Sequence, residues 1–491
     1  MENGSSSAVV VVLPPTQLND EEEEIKIFYD KRSFESLEQS AATLLLILSI
    51  FWGILIARVL THNLLWLKFS IEYALIIVPG VLLVTVASDY SPHFVAVMIV
   101  LSACFIFASK ALNRAQNRMH FDLGGNRPTM FTLVRALTHL ITAICILAID
   151  FNSFYRPYRK TRRFGAQLMD TGIGLFVITM GLVSRRSTNN AELQRQLFYS
   201  MPLLLLGLAR TVSIVMIGYS QDEHEYGQHL NAFFTLGLAK LIGSLLSRLA
   251  RKDIQLLPMA ISLLVVHQLG LSLGLSDYVM NDELPRSTFL AANREGLISL
   301  PGFVAIYLLS IYFSRWLLVS SSSTLLTYTQ IVNKLKRLLY LVIINWIMVI
   351  CSAYAFGISR VTCNLGYVIW IFAIMSTMLW LSLFAVDFII NSVLPLDPMR
   401  LTDANDAEEQ GTLLSNAKTK APGNEPFIIC QSLNMNGLIY FILANVLTGG
   451  VNIFFEPEER SDEASVLILL IYMLLATKFV HNLYIRGIRL A

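Results

Sequence analysis

Apolar and polar segments alternate along almost the whole chain, from about residue 41 to residue 480. Each apolar segment has about 20 residues, and a helix of that length spans the hydrocarbon core of a bilayer. The strict alternation of barrel strands is absent, so helices are the structure by which these segments can cross a membrane. The pattern predicts an all-α polytopic membrane protein with about thirteen transmembrane helices. They lie near residues 41–60, 69–87, 93–109, 131–150, 165–183, 198–219, 228–246, 254–273, 297–314, 338–357, 366–388, 436–454 and 464–480.

Two polar segments do not fit this alternation. Residues 1–40 contain an acidic run from Asp20 to Glu24 and lack the basic region that opens a signal peptide, which predicts a disordered N-terminal tail. Residues 395–426 are polar and contain Pro and Gly, which predicts a flexible linker. The rest of the chain, residues 41–490, is predicted to form one transmembrane domain.

Composition supports a membrane protein, since 55% of the residues are hydrophobic and 15% are charged. Soluble domains carry about 25% charged residues, so one large water-soluble core is excluded. The net charge of +2 gives no reason to expect nucleic acid as a partner. The five cysteines form no CxxC pair, and we expect them to be small buried hydrophobic residues. We expect no metal site and no permanently bound cofactor.

Lys and Arg are concentrated in five connecting segments, which predicts the orientation of the chain. Cytosolic loops of membrane proteins carry an excess of these residues. With thirteen spans the five segments share one side, predicted to be cytosolic, so the N-terminus is predicted to be lumenal and the C-terminus cytosolic. The linker at 395–426 is then cytosolic as well. The five segments are residues 110–130, 184–197, 247–253 and 315–337 and the C-terminal tail.

One loop departs from this charge pattern. Residues 151–164, FNSFYRPYRKTRRF, are predicted to be lumenal, yet they form the most basic short loop of the chain. Either the number of spans is miscounted nearby, or the charge is kept to bind the phosphates of a lipid headgroup or of a nucleotide-bearing cofactor. The cations that would bind them are Arg156, Arg159, Arg162 and Arg163, together with Lys160.

Asp150 and Lys160 are candidates for catalysis at the two ends of this loop. Pro157 lies between them and discourages a continuous helix, so a folded-back loop could bring them together. A carboxylate could then take the proton of a hydroxyl, and a cation could stabilise the oxyanion formed during acyl transfer. The alternative is a salt bridge that only shapes the loop.

Two further polar clusters are predicted at the same face. EYGQHLNAFFTL (225–236) contains His229, and AANREGLISLPGF (291–303) contains Arg294 and Glu295. Three polar clusters at one face suggest a shared site. The alternatives are a structural histidine at the interface and an ion pair where the second segment enters its helix.

Five stretches of the chain together resemble the GPI inositol acyltransferases. The strings LMDTGIG, ANREG and NGL…LAN…TG…VN within them are long enough to make a chance match implausible. The stretches follow the order of that family, from about the fourth predicted helix to the twelfth. They are ILAIDFNSFYRPYRK (146–160), FGAQLMDTGIGLFV (164–177), EYGQHLNAFFTL (225–236), AANREGLISLPGF (291–303) and NGLIYFILANVLTGGVN (436–452).

The resemblance implies a reaction and its partners. Members of that family transfer a long-chain acyl group, usually palmitoyl from palmitoyl-CoA, to the inositol hydroxyl of glucosaminyl-phosphatidylinositol. This is an early step of GPI-anchor synthesis in the endoplasmic reticulum membrane. Palmitoyl-CoA as acyl donor, glucosaminyl-phosphatidylinositol and membrane lipid are then the expected partners. The resemblance also implies thirteen spans and a lumenal N-terminus.

The resemblance further implies a set of site residues. The aspartate of the family's AVDF-like string and the lysine ten positions later correspond to Asp150 and Lys160, the implied catalytic pair. Further motif positions are implied to line the substrate site, namely Asp170, His229, Asn231, Asn293, Arg294, Glu295, Asn436 and Asn445.

The chain departs from the family pattern at a few of these positions. Pro157 is displaced relative to the family's FPRR-like string, and Leu230 and Ala232 stand where aromatic residues are expected. These departures leave the shape of the substrate pocket open.

Other functions remain open at this point. A lipid or solute transporter of the endoplasmic reticulum explains many helices and buried charges equally well, though not the five strings. A non-catalytic scaffold of the same pathway predicts binding without turnover. Within the enzyme hypothesis, a mechanism based on His229 is the rival to the Asp150–Lys160 pair.

Overall fold

The computed structural model describes residues 15–61, 67–118, 120–123, 128–217, 223–318, 325–394 and 426–490. Most of these residues are helical, which confirms the all-α prediction. Strand β1 (Phe121–Asp122) pairs antiparallel with β2 (Leu325–Leu326). The helices are α1 (Pro15–Leu60), α2 (Lys68–Glu72), α3 (Val78–Val84), α4 (Ser91–Ala108), α5 (Ala111–Gln116), α6 (Thr129–Ala148), α7 (Thr171–Leu182), α8 (Asn190–Phe198), α9 (Met201–Ile217), α10 (Glu223–Tyr226), α11 (Ala232–Leu249), α12 (Leu256–Gly270), α13 (Ser276–Met280), α14 (Phe289–Ala292), α15 (Arg294–Leu318), α16 (Tyr328–Ala355), α17 (Leu365–Leu381), α18 (Asn391–Val393), α19 (Ile428–Met435), α20 (Gly437–Phe454) and α21 (Asp462–Ile485).

Within the described ranges, eleven helical stretches are long and apolar enough to cross a membrane. Two other predicted spans correspond to shorter helices. One is the apolar helix Leu168–Leu182. The other runs through α2, the π-helical turn Tyr73–Ile77 and α3, where Pro79 lies in the first turn. The exact number of thirteen spans stays a prediction.

The first helix begins well before the expected boundary at residue 40. Residues 15–40 are helical, although the acidic run predicted a disordered tail there. The side chain of Ser33 donates a hydrogen bond to the Ala353 carbonyl at 2.9 Å, which ties this part of α1 to α16. The rest of the predicted tail, residues 1–14, lies outside the described residues, as do residues 395–425 of the predicted linker.

Three buried helices, α6, α15 and α17, form the centre of the bundle. At Gly181 in α7, a Cβ would lie 2.5 Å from Ser310 Cβ and 2.9 Å from the Tyr307 carbonyl oxygen of α15. Only a residue without a side chain permits this approach of two helices. Ser314 donates a hydrogen bond to the Leu182 carbonyl at 2.7 Å, one turn further along the same contact.

Polar contacts join the segments that charge assigned to one face. The β1–β2 pair connects the loop 110–130 to the loop 315–337. Arg186 contacts Asp253 at 2.7 Å and donates to the Ala250 carbonyl, which connects loop 184–197 to loop 247–253. Helix α6 runs from this end of the bundle to the other end, where Asp150 lies.

We expect Gly181→Ala to destabilise the protein by about 1–3 kcal/mol, because the added methyl group overpacks the α7–α15 contact. The thermal midpoint of the purified protein in detergent measures the change. Gly270→Ala in α12 is the matched control, since its Cβ would meet Leu275 at an ordinary 3.8 Å. Equal midpoints for the two variants would show that the close approach is not tight.

Candidate active site

The basic loop between α6 and α7 is fixed by hydrogen bonds to two other parts of the chain. The amide of Gly165 donates to the Ile358 carbonyl at 2.8 Å, and Ser359 donates to the Arg163 carbonyl at 2.7 Å. From α1, Gln39 accepts a hydrogen bond from the Ala166 amide at 3.0 Å. The loop is therefore an ordered platform at one end of the bundle.

Asp150 lies directly after α6, at the edge of this platform, and is half-buried. Its Oδ2 accepts a hydrogen bond from Asn452 Nδ2 of α20 at 2.9 Å. Burial raises the pKa of the Asp150 carboxyl, against the hydrogen bond from Asn452 and the charge of Lys160, which lower it. A carboxylate with a raised pKa is a stronger base than an ordinary one.

Lys160 forms an ion pair with Glu225 of α10 at 2.6 Å, rather than with Asp150. Lys160 is still close enough for its charge to act on the Asp150 carboxyl. Burial acts to raise the pKa of Glu225, but the charges of Lys160 and Arg360 outweigh it, and the pKa of Glu225 lies below its ordinary value. Glu225 thus stays ionised and holds the ammonium group beside the site.

Asp170 is fully buried beneath the basic loop, and several groups bind its carboxylate. Its carboxylate accepts hydrogen bonds from the backbone and hydroxyl of Thr161 and from the Gln167 amide. It also forms a buried ion pair with Arg360 at 2.9 Å. Since these groups occupy the carboxylate, the structure gives Asp170 a role in holding the loop rather than in touching a substrate.

The polar cluster at 225–236 packs on the polar cluster at 291–303 through Asn293, which is buried. Its Oδ1 accepts a hydrogen bond from the His229 amide at 2.8 Å, and its Nδ2 lies 3.1 Å from His229 Nδ1. Asn231 caps α11, where its Oδ1 accepts hydrogen bonds from the amides of Phe233 and Phe234. Of these three site candidates, His229 is exposed and the two asparagines are structural.

Arg294 and Glu295 are buried where α15 begins. Glu295 accepts two hydrogen bonds from Arg286, at 2.7 and 3.1 Å, and Arg294 donates to the Asn281 carbonyl at 2.6 Å. These contacts close the loop between α13 and α15. Arg294 Nε also lies 3.4 Å from Glu295 Oε1, which is the ion pair of the alternative interpretation. A small cavity of about 30 Å³ lies beside Glu295 and is bordered by Arg162 and Arg163.

The remaining candidate site residues differ in their exposure and in their position. Arg156, Arg159 and Arg162 are exposed at the Asp150 end, and no described acidic side chain pairs with them. Arg163 lies 3.7 Å from Asp282. Asn445 lies on α20, seven residues before Asn452 and so on the same helix face.

Asn436 is not brought to this site. It lies at the opposite end of α20, about 24 Å from Asn452 along the helix. Its side chain holds the C-terminal segment, donating to the Ile488 carbonyl and accepting from the Leu490 amide.

A line of partly exposed residues leads from Asp150 along α6. In α6, the residues after the first turn that stay partly exposed are Arg135, Thr142 and Ile146, which form a single line ending at Asp150. In α7 the partly exposed residues form another line, made of Gly172, Phe176 and Met180. A Cβ at Gly172 would lie 3.8 Å from Thr142 Oγ1, so the two lines are neighbours.

Helix α20 presents a third line of residues beside these two. Its residues Phe441, Asn445, Gly449 and Asn452 share one face, because they are four, four and three residues apart. The ring of Phe441 contacts Phe176 of α7 at 5.2 Å between centroids. Above this contact a Cβ at Gly449 would meet no atom within 4 Å.

Three residues of the site escaped the sequence analysis. Asn452 and Glu225 stand in strings that were recognised, but their partners Asp150 and Lys160 lie 302 and 65 residues away. Arg360 stands outside the five strings.

The string GLSLG at 270–274 matches a serine-hydrolase pattern, yet it forms a helical segment rather than the strand-to-helix turn which that chemistry requires.

Comparison with known proteins gives consistent matches over most of the chain. The sequence model of the GWT1 family matches residues 29–483. GPI-anchored wall transfer protein 1 of Schizosaccharomyces pombe is 30% identical over 73% of this chain and 72% of its own. Glucosaminyl-phosphatidylinositol-acyltransferase PIGW of Bos taurus is 27% identical over 85% and 88%. An uncharacterized protein of Arabidopsis thaliana is 29% identical over 86% and 88%.

We expect Asp170→Asn to destabilise the protein by about 3–5 kcal/mol, because it leaves the Arg360 guanidinium buried without its counter-charge. The thermal midpoint in detergent and the yield of monodisperse protein measure this. Asp253→Asn is the control, since Asp253 is 41% exposed in its pair with Arg186 and the expected loss is about 0–1 kcal/mol. If Asp170→Asn kept the midpoint, the structural role of Asp170 would be wrong.

Proposed function

The chain belongs to the GWT1 family, and we propose that it transfers a long-chain acyl group to an inositol hydroxyl of glucosaminyl-phosphatidylinositol in GPI-anchor synthesis. The name of the bovine relative supports the acceptor and the reaction class. The observation that carries the proposal is Asp150, a half-buried carboxylate with a raised pKa at the end of a line of partly exposed residues along α6.

In this mechanism Asp150 acts as the general base. As the inositol oxygen attacks the thioester carbonyl, its proton passes to the Asp150 carboxylate. The carbon–sulfur bond then breaks, and the leaving thiolate takes up that proton, so ester and free thiol are formed and Asp150 is restored. The hydrogen bond from Asn452 leaves Oδ1 of Asp150 available for the substrate.

Lys160 supplies the positive charge beside the reacting carbonyl. Its ammonium group is a third exposed in the ion pair with Glu225, so one of its N–H groups can turn to a developing oxyanion without leaving that partner. A cation held in place before the reaction needs no reorganisation when charge develops.

We propose that the lines of residues on α6, α7 and α20 border a groove that holds the acyl chain. From Asp150 to Arg135 it follows α6 for about 22 Å, the length of a long-chain acyl group. Apolar side chains such as Ile146, Met180 and Phe176 line it. We propose acyl-CoA, with palmitoyl as the acyl group, as the donor.

The exposed arginines of the basic loop provide phosphate sites at the mouth of the groove. Arg156, Arg159 and Arg162 face solvent at the Asp150 end, where the phosphate of a phosphatidylinositol headgroup would lie. We propose that this end is lumenal in the endoplasmic reticulum, with the N-terminus lumenal and the C-terminus cytosolic.

A direct assay separates this function from its rivals. Membranes containing the protein receive labelled palmitoyl-CoA and glucosaminyl-phosphatidylinositol, and the label is followed into the lipid product. Transfer supports the enzyme. Lipid binding or movement without transfer, in intact protein, supports a scaffold or a transporter instead.

We expect Asp150→Asn and Lys160→Met each to lower acylation by at least about 100-fold, the usual contribution of a general base or an oxyanion partner. The assay above measures it, with expression and thermal midpoint as controls for folding. Asp277→Asn, at an exposed acid of α13, should leave the rate unchanged. Near-normal transfer by either variant would falsify the assignment. Complete loss in His229→Ala with activity kept in Asp150→Asn would favour a histidine mechanism.

We expect Gly449→Phe to impair palmitoyl transfer by tenfold or more while sparing short acyl donors, because the added ring fills the groove below Asp150. Gly450→Phe is the matched control: it also meets no atom within 4 Å, but it points about 100° away around α20. The rates with palmitoyl and octanoyl donors measure the preference. Equal effects of the two substitutions would show that the acyl chain lies elsewhere.

A further inference from the structure

In the side-chain amide of Asn452, the nitrogen forms a hydrogen bond and the oxygen has no hydrogen-bond partner among the described residues. Its Nδ2 donates to Asp150 at 2.9 Å. Its Oδ1 is buried and has no hydrogen-bond partner among the described residues. Buried carbonyl oxygens in native proteins are nearly always paired, so an unpaired one at the edge of a site indicates a missing donor.

The orientation of the Asn452 amide follows from its partner. An ionised carboxylate only accepts hydrogen bonds, so the NH₂ group must face Asp150 and Oδ1 must face the other way. Because both atoms are attached to the same carbon, a donor to Oδ1 lies next to the group that contacts Asp150. Asn445, the next amide on this face, already donates to the Phe441 carbonyl at 2.8 Å.

The geometry therefore fits a substrate with two neighbouring hydroxyl groups. An inositol ring carries hydroxyls on adjacent carbons, one of which would give its proton to Asp150. We propose that Asn452 is a specificity-determining residue, whose Oδ1 accepts a hydrogen bond from the ring hydroxyl next to the one that is acylated and whose Nδ2 orients the Asp150 carboxylate. This inference rests on the proposed acceptor.

Two substitutions separate these two tasks. Asn452→Ala removes both the acceptor for the substrate and the donor to Asp150. Asn452→Asp keeps an oxygen that accepts the substrate hydroxyl, but it cannot donate to Asp150 and places a second negative charge beside it. The matched control is Asn482→Ala, at an exposed asparagine of α21 outside the site.

The first readout is the preference between two acceptors. One is glucosaminyl-phosphatidylinositol, and the other is its analogue in which the hydroxyl adjacent to the acylated one is replaced by hydrogen. We expect the wild type and Asn482→Ala to prefer the intact lipid by roughly tenfold in kcat/KM, the effect of one hydrogen bond. Asn452→Asp should keep this preference, and Asn452→Ala should lose it.

The second readout is the acidic limb of the pH profile of kcat. Asp150 must be ionised to act as base, so activity falls as pH drops through its pKa. The hydrogen bond from Asn452 lowers the pKa of Asp150, so its loss raises that pKa and moves the limb to higher pH. Asn452→Asp should move it further, because two neighbouring carboxylates oppose each other's ionisation.

The proposal is overturned if Asn452→Ala keeps the wild-type preference for the intact lipid. The role of Asn452 in positioning Asp150 is overturned if the acidic limb of the kcat profile has the same pH in Asn452→Ala as in the wild type. Binding of both lipids to the purified full-length protein gives the same comparison without turnover. If the wild type binds but never acylates, the proposed function fails, and the binding preference of Asn452→Ala still decides the role of Asn452.

Discussion

The buried ion pair between Asp170 and Arg360 is the interaction on which the geometry of the Asp150 end depends. Two charges can be buried only when each is fully paired. Asp170 meets this demand by binding Thr161 and Gln167 of the basic loop in addition to Arg360. The residue before Thr161 is Lys160, so the position of the ammonium group follows from a carboxylate that never reaches the surface.

The charges at this end therefore divide by burial. Those inside, such as Asp170, Arg294 and Glu295, are paired with other groups of the protein and hold loops in place. Those outside, such as Arg156 and Arg159, have no described acidic partner and keep their charge available. Desolvation explains this division, because an unpaired charge is tolerated in water and is very costly inside the protein. A phosphate-bearing substrate would meet only the second group.

The membrane architecture could be predicted from the sequence because its signal is local. An apolar run of about 20 residues identifies a helix without reference to its neighbours. The contacts of the site could not be predicted in this way, since Asp170 and Arg360 are 190 residues apart and Asp150 and Asn452 are 302. Residues of one motif string can also lie far apart when the string forms a long helix. Asn436 and Asn452 belong to one string, yet the rise of α20 places them at opposite ends of the bundle.

The partners of Asp150 and Lys160 also bear on how such a pair could work. A direct salt bridge would stabilise the ionised carboxylate, lower its pKa and weaken it as a base. Instead Lys160 contacts Glu225, and Asp150 contacts a neutral amide, so that burial raises the pKa of the Asp150 carboxyl. For the proposed reaction this means that Asp150 is a strong base and that Glu225 holds Lys160 in place until a substrate lies between the two side chains. In the proposed reaction, the charge of Lys160 then acts on the oxyanion that forms rather than on the carboxylate that must accept a proton.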